Sequence, residues 1–215
     1  MDSRAIEFKI VKKNLIGNVK HVFNADKSSE YTKKANTLGL DKMFFGSGAN
    51  GSSSWEMVPD AVSSRKRVYI NNKLHMTIEL RQKQWSSNDG GLARYKFHWC
   101  GEEFVWKQYG YKDHNFKCVH LASDQTIADF NYFTWALMDV GTLKLVPNQY
   151  LQSRGLKEFL IFSCIDLLED SLKDGATRRK ERKVNDRTRH AVNNWRYNSD
   201  SDLVRSPLLA GAARA

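Results

Sequence analysis

Apolar and polar residues alternate along two neighbouring segments near the middle of the chain. Large aromatic residues stand at every second position there, namely Tyr95, Phe97, Trp99, Phe104 and Trp106. Successive side chains along a β-strand point to opposite faces, so each aromatic row occupies one face of a strand. The intervening Cys-Gly-Glu-Glu, residues 100–103, predicts the turn of a hairpin. We expect both aromatic rows to be buried in the core of a sheet.

Strand-like segments of this kind recur along most of the chain. They begin at residues 5–11 and continue at close spacing to residues 143–145. Turn residues separate several of them, for example Asn71-Asn72. Close spacing without intervening helical patterns favours an antiparallel barrel or sandwich over a fold of alternating strands and helices.

A long apolar segment follows the last predicted strand. It predicts a helix over residues 155–174, with Ser153 as N-cap and Gly175 as the C-terminal stop. Between residues 159 and 165 only Ser163 interrupts the apolar run. A helix without a polar stripe must be enclosed on all sides. The run is far shorter than the roughly 20 apolar residues of a membrane span, so it predicts a buried core helix.

The second half of this helix has a different pattern. Asp166, Glu169, Asp170 and Lys173 gather on one side, while leucines occupy the other. We therefore expect the helix to emerge from its enclosure as it proceeds, with this charged side outward.

Composition indicates one globular domain followed by a polar extension. The chain has 215 residues, of which 41% are hydrophobic and 12% aromatic, enough to build one sizeable core. We predict a domain over residues 1–175, a basic segment over 176–192 and a disordered tail over 193–215. No signal peptide or transmembrane anchor is predicted. The odd number of cysteines argues against a disulfide framework and for reduced thiols in the cytosol.

Positive charge is concentrated after the predicted helix. The net charge is +10, and residues 178–190 contain seven Lys or Arg against two acidic residues, which gives +5. The core of this block comprises Arg178, Arg179, Lys180, Arg182 and Lys183. Such a block is typical of a nuclear-import signal, a nucleic-acid contact or a patch for anionic lipid heads. The alternative is a solvated segment that only keeps the protein soluble.

Candidate catalytic and nucleotide-binding patterns are weak in this chain. Residues 46–51 match Gly-x-Gly-x-x-Gly, but no helix follows to present its amides to a phosphate, so a flexible loop is the better interpretation. Adjacent carboxylates occur at Glu102-Glu103 and Glu169-Asp170, where we expect solvated surface charges rather than an acid–base pair. We predict no catalytic residue and no cofactor.

A zinc site is the remaining chemical alternative. His98 with Cys100, and Cys118 with His120, stand two residues apart on predicted strands, so neighbouring strands could present two Cys and two His. The usual zinc-ligand spacings are absent, and we predict no metal site.

The order of motifs resembles the tubby C-terminal-like domain, in particular its short fungal versions. The resemblance covers roughly residues 44–175 and rests on the aromatic hairpin, Cys118, residues 127–130, residues 141–145 and the apolar helix. It implies a closed antiparallel β-barrel of about a dozen strands that encloses the apolar C-terminal helix. The same superfamily contains LURP-one-related proteins and phospholipid scramblases.

The resemblance also implies a function. Tubby domains bind phosphoinositide heads through Lys and Arg side chains, so we expect a non-enzymatic, monomeric module that binds anionic lipid at a cytosolic membrane surface. The family's lipid contacts cannot be matched residue by residue here. On charge alone, the candidate lipid-binding residues are Arg65, Lys66, Arg67 and Lys73. Alternatively, these four residues are loop charges that are merely exposed to water. A nucleic-acid or nuclear adaptor acting through the basic segment, and a protein-interaction platform, remain as alternative functions.

Overall fold

The protein is mainly β with one helix near its C-terminus, as predicted. The computed structural model describes residues 5–12, 20–24, 30–35, 41–45, 53–80, 92–109, 114–133 and 138–173. These ranges contain twelve strands: β1 (Ile6–Lys12), β2 (Lys20–Asn24), β3 (Glu30–Ala35), β4 (Asp41–Phe45), β5 (Ser53–Pro59), β6 (Arg65–Ile70), β7 (Lys73–Leu80), β8 (Leu92–Trp99), β9 (Glu102–Tyr109), β10 (Asn115–His120), β11 (Gln125–Tyr132) and β12 (Asp139–Leu145). A short 3₁₀ helix, Gln149–Gln152, precedes helix α1, residues 154–173.

The strands pair in the order in which they follow along the chain, always antiparallel. β1 also pairs with β12, with Ile6 opposite Leu145 and Phe8 opposite Leu143. Between described residues, pairing is shortest between β7 and β8, where Glu79 lies opposite Lys96 and Leu80 opposite Tyr95.

Tight turns connect two of the hairpins. Cys100 and Gly101 have φ values of 50° and 85°, and they join β8 to β9. Asn71 and Asn72, at 49° and 66°, join β6 to β7 as predicted. Positive φ at both central residues matches the right-handed twist of the flanking strands. The predicted four-residue Cys-Gly-Glu-Glu turn is too long, because residues 102 and 103 already belong to β9.

Helix α1 packs against the inner face of the sheet, the face that carries the aromatic rows. The Ser153 hydroxyl accepts a hydrogen bond from the Leu156 amide at 3.4 Å, which confirms the predicted N-cap. Phe159 lies 4.8 Å from Phe97 and 5.9 Å from Trp55 between ring centroids. Phe159, Leu160, Phe162 and Ile165 are all fully buried, as predicted.

Burial of α1 continues further than the sequence suggested. Every residue from 158 to 168 is buried, and this includes Asp166. The predicted emergence of the helix is confirmed at its C-terminal end, where residues 172 and 173 are exposed. Asp166 was wrongly placed on the emerging side, because side chains of β6 and β8 meet its carboxylate inside the fold.

The chain divides into two compact units, Met1–Asp170 and Ser171–Ala215. Of the second unit, the structure describes residues 171–173, which belong to α1. The predicted domain boundary at 175, the basic segment 176–192 and the tail 193–215 lie outside the described residues.

Candidate functional site

The three consecutive cations predicted as a lipid-binding loop form the start of strand β6. Arg65 and Arg67 are exposed on its outer face, whereas Lys66 points inward and is buried. The strand's two-residue alternation separates them. Grouping Lys66 with Arg65 and Arg67 as an exposed lipid contact was therefore wrong, because its ammonium group is hydrogen-bonded inside the fold.

Lys66 belongs to a buried polar cluster that ties the sheet to helix α1. Its Nζ donates to Asp166 Oδ2 and Asp170 Oδ2, each at 2.6 Å, and to the Tyr95 hydroxyl at 2.8 Å. The Tyr95 hydroxyl in turn lies 2.7 Å from the same two carboxylate oxygens. We call these four residues the Lys66 cluster. Its charges are paired and hydrogen-bonded, which is what allows them to be buried.

The cluster changes the acid–base behaviour of its members. Burial disfavours the charged ammonium of Lys66, but the carboxylates of Asp166 and Asp170 outweigh this, so the pKa of Lys66 lies above its ordinary value. Burial, reinforced by the same carboxylates, raises the pKa of the Tyr95 hydroxyl well above its ordinary value. Lys66 is therefore charged and Tyr95 neutral at physiological pH.

A second ion pair joins the same part of α1 to the sheet. Lys20, the first residue of β2, donates to Glu169 of α1, and both side chains are largely buried. The predicted surface pair Glu169-Asp170 is thus wrong as well. Each of its carboxylates is bonded to a lysine of the inner face.

Lys73 is not a neighbour of the β6 arginines. It opens β7 opposite Ile70, whereas Arg65 lies at the other end of the hairpin, opposite Glu79. Five strand steps of about 3.3 Å separate residues 65 and 70, roughly 17 Å in all. This exceeds the Debye length of about 8 Å at physiological ionic strength, so Lys73 adds little to a site at Arg65 and Arg67.

The β5–β6 turn beside Arg65 has a defined conformation. Asp60 accepts hydrogen bonds from the Val62 amide at 3.2 Å and the Ser63 hydroxyl at 2.9 Å. Its own amide donates to the Arg65 carbonyl at 2.9 Å, and the Leu80 amide donates to the Ser64 carbonyl at 2.8 Å. Val62 stands at the tip of this turn with 97% of its surface exposed.

A hydrogen-bonded histidine occupies the opposite end of the sheet, near the start of α1. His120 Nε2 lies 2.8 Å from Glu102 Oε2, and His120 Nδ1 lies 2.8 Å from Ser123 Oγ. The ring contacts Phe104 and Tyr150, with centroids at 5.2 and 4.8 Å. These contacts satisfy both nitrogens of a buried imidazole and link β9 to the β10–β11 turn. Sequence analysis missed this arrangement, because only the register of β9 against β10 brings Glu102 to His120.

The four residues considered for zinc are not brought together. His98 is exposed and paired with Glu103, and Cys100 lies in the hairpin turn. Cys118 is buried in the core, and His120 is bonded to Glu102. Across the described ranges, the structure contains no group of three His, Cys, Asp or Glu side chains suited to a metal ion.

Two further sequence features lie outside the described residues. These are the Gly-x-Gly-x-x-Gly match at residues 46–51 and the basic block that comprises Arg178, Arg179, Lys180, Arg182 and Lys183. Among the described residues, no helix is long and apolar enough to cross a bilayer, since charged residues occupy the second half of α1. Comparisons with protein-family models, with curated proteins and with solved structures return no match.

Proposed function

We propose that this protein is a non-enzymatic module that binds anionic lipid headgroups, phosphoinositides included, at a membrane surface. The proposal includes a tubby-like architecture, in which the twelve strands close into a barrel around α1. Its contact residues are Arg65 and Arg67, with the basic block of residues 178–183 as a second, tethered contact.

One observation carries this proposal. Arg65 and Arg67 project outward from the strand whose intervening residue, Lys66, is bonded to Asp170 of α1. Arg178 follows Asp170 by eight residues, so an extended chain reaches at most about 28 Å between them. The basic block is covalently linked to the domain that carries the two exposed arginines. Two basic clusters on one chain that contact the same membrane reinforce each other through a high effective concentration.

Lys66 supports this arrangement without contacting lipid. It is bonded to both carboxylates of the Lys66 cluster, and this cluster fixes the start of β6 against α1. A fixed strand holds Arg65 and Arg67 on a common face, about 7 Å apart along the strand. Preorganised cations lose less conformational freedom on binding than cations on a mobile loop.

The test is a titration of the full chain against vesicles of neutral lipid, neutral lipid with phosphatidylserine, and neutral lipid with a phosphoinositide. We expect binding to the anionic vesicles that weakens with salt. Replacing both arginines, R65A/R67A, should weaken it by about 30-fold at most, since each cation near an anionic surface contributes about 1 kcal/mol.

A matched control is available on the paired strands β1 and β12. Lys9 and Lys144 are about as exposed as Arg65, and each is likewise paired with a carboxylate. The variant K9A/K144A removes the same charge and should leave vesicle binding nearly unchanged. Equal losses of vesicle affinity in the two variants would show that only net charge matters. Tighter binding to duplex DNA than to the anionic vesicles would favour the nucleic-acid alternative.

A further inference from the structure

The β5–β6 turn exposes apolar side chains on a backbone held by hydrogen bonds. Ala61 and Val62 lie exposed at its tip, between Asp60 and Ser63, and Val62 is the most exposed of the large hydrophobic residues described. Its backbone is nevertheless fixed by the hydrogen bonds that Asp60 makes with Val62 and Ser63. A single exposed valine is unremarkable on a mobile loop, but here the turn is held so that the side chain stays in solvent.

The charges beside this turn balance. Arg65 and Arg67 contribute two positive charges, and Asp60 and Glu79 contribute two negative ones. Arg65 lies 4.0 Å from Glu79, and the Val62 amide and Ser63 hydroxyl keep the pKa of Asp60 below its ordinary value. Asp60 is therefore ionised at neutral pH. Long-range attraction from this turn is weak, and an additional contact is needed for it to hold a membrane.

We infer that the tip of the β5–β6 turn, with Val62 at its apex, inserts into the interfacial region of an anionic bilayer while Arg65 and Arg67 contact the lipid phosphates. The inference rests on the proposed function and specifies its binding mode. Insertion brings the arginines against the phosphates and moves Val62 out of water, so the apolar and ionic contacts form together.

The geometry favours a bilayer as the occupant over a protein groove. Ala61 and Val62 are small apolar side chains at the end of a hairpin, and the strand that follows them, β6, presents two outward-facing arginines. When the turn points into a membrane leaflet, the apolar side chains reach the boundary of the acyl chains and the arginines lie at the level of the phosphates. A partner protein would require a wider apolar patch than one turn supplies.

The chain offers a matched control at the opposite end of the same hairpin. Leu74 is also apolar and exposed, at 59%, but it lies beside the Asn71-Asn72 turn. The variants V62S and L74S remove similar apolar surface at the two ends. Val62 lies almost entirely and Leu74 mostly in solvent, so neither substitution should prevent folding, and circular dichroism would verify this.

The experiment measures binding of the wild type, V62S and L74S to vesicles of neutral lipid with a phosphoinositide. In parallel, V62C and L74C, each in a C100S background that removes the exposed thiol, carry an environment-sensitive dye. We expect V62S to weaken binding by about tenfold and L74S to leave it unchanged. The dye at position 62 should shift to the blue on binding and be quenched by a lipid-attached quencher, whereas the dye at position 74 should not.

The outcomes separate this inference from the proposed function. If the wild type binds the vesicles and V62S binds equally well without a dye shift at position 62, insertion is wrong and surface binding stands. If the wild type does not bind, the proposed function fails and the insertion fails with it. Equal losses in V62S and L74S would also overturn the assignment of the β5–β6 turn.

Discussion

Lys66 on β6 and Asp166 on α1 stand far apart in the sequence, yet Nζ of the one lies 2.6 Å from Oδ2 of the other. Both side chains are buried, and Asp170 and Tyr95 complete their hydrogen bonds. This contact joins the sheet to helix α1, which packs against its inner face. It also explains why one lysine of a basic triplet is turned away from solvent.

Replacing Lys66 with Met should destabilise the protein strongly. The substitution leaves the buried carboxylate of Asp166 without its cation, which costs about 3–5 kcal/mol in comparable cases. Urea denaturation of K66M measures the loss in free energy of unfolding. The double variant K66M/D166N should recover a large part of it, because the unpaired charge is then absent. The exposed neighbour provides the control, since R65M should change stability by less than about 1 kcal/mol.

The protein should lose stability steeply at alkaline pH. Burial raises the pKa of the Cys118 and Cys164 thiols well above the ordinary 9.0, and that of Tyr95 well above 10.0. The carboxylates of Asp166 and Asp170 also raise the pKa of Lys66 above the ordinary 10.5. Each folded-state pKa is higher than its unfolded counterpart, so between the two values the native state binds more protons. The contribution of these groups to the free energy of unfolding is therefore complete below about pH 9, and it falls as the pH rises beyond that value.

Denaturation midpoints between pH 7 and 11 would measure this dependence. The variant Y95F keeps the ring and removes one titrating hydroxyl, so its stability should fall less steeply above pH 10. A wild-type stability that is constant from pH 8 to 11 would contradict the prediction.

Replacing Phe162 with Ala should cost about 3–5 kcal/mol, because the ring is fully buried and leaves a cavity at the centre of the core. It lies 6.3 Å from Trp55 between ring centroids, so Trp55 fluorescence should change with it. Thermal and chemical denaturation would measure the loss. Phe133, which is 38% exposed, is the matched control, and F133A should cost much less.

Gly141 of β12 should not tolerate alanine. A Cβ at this position would lie 2.7 Å from Cζ of Phe130 and closer still to the Asn131 carbonyl oxygen. Both neighbours belong to β11, and a backbone oxygen cannot rotate away. We expect G141A to lower stability by at least about 1–3 kcal/mol, as overpacking usually does. A melting temperature equal to that of T142A, the neighbouring control, would contradict this.

Much of the fold was predictable because its strongest signals are local. The aromatic alternation from Tyr95 to Trp106 predicts a hairpin without knowledge of any other segment, and the apolar run around Phe162 predicts a core helix in the same way. The hairpin turn was predicted too long, since Glu102 and Glu103 are turn-forming in composition but belong to β9.

The candidate site was only partly predictable, because side chains alternate between the two faces of a strand and the sequence does not show where β6 begins. Three consecutive cations, residues 65–67, give no sign of which one faces inward until the start and register of β6 are known. The partner of Lys66 lies on a helix a hundred residues further along. Asp166 was placed on the emerging side of the helix because it groups there with Glu169, Asp170 and Lys173. His120 and Glu102 are likewise joined only by strand register.

The pairing of β1 with β12 constrains how this chain can fold during synthesis. Ile6 has no strand partner on that side until Leu145 has been made, and the helix that covers the aromatic rows is translated later still. A nascent chain therefore carries Trp55, Phe97 and Trp106 on strands whose apolar face has nothing to pack against. Contacts of such long sequence separation form slowly, and exposed strands of this kind associate with each other. We expect the pairing of β1 with β12, and the covering of the aromatic rows by α1, to be late events in folding.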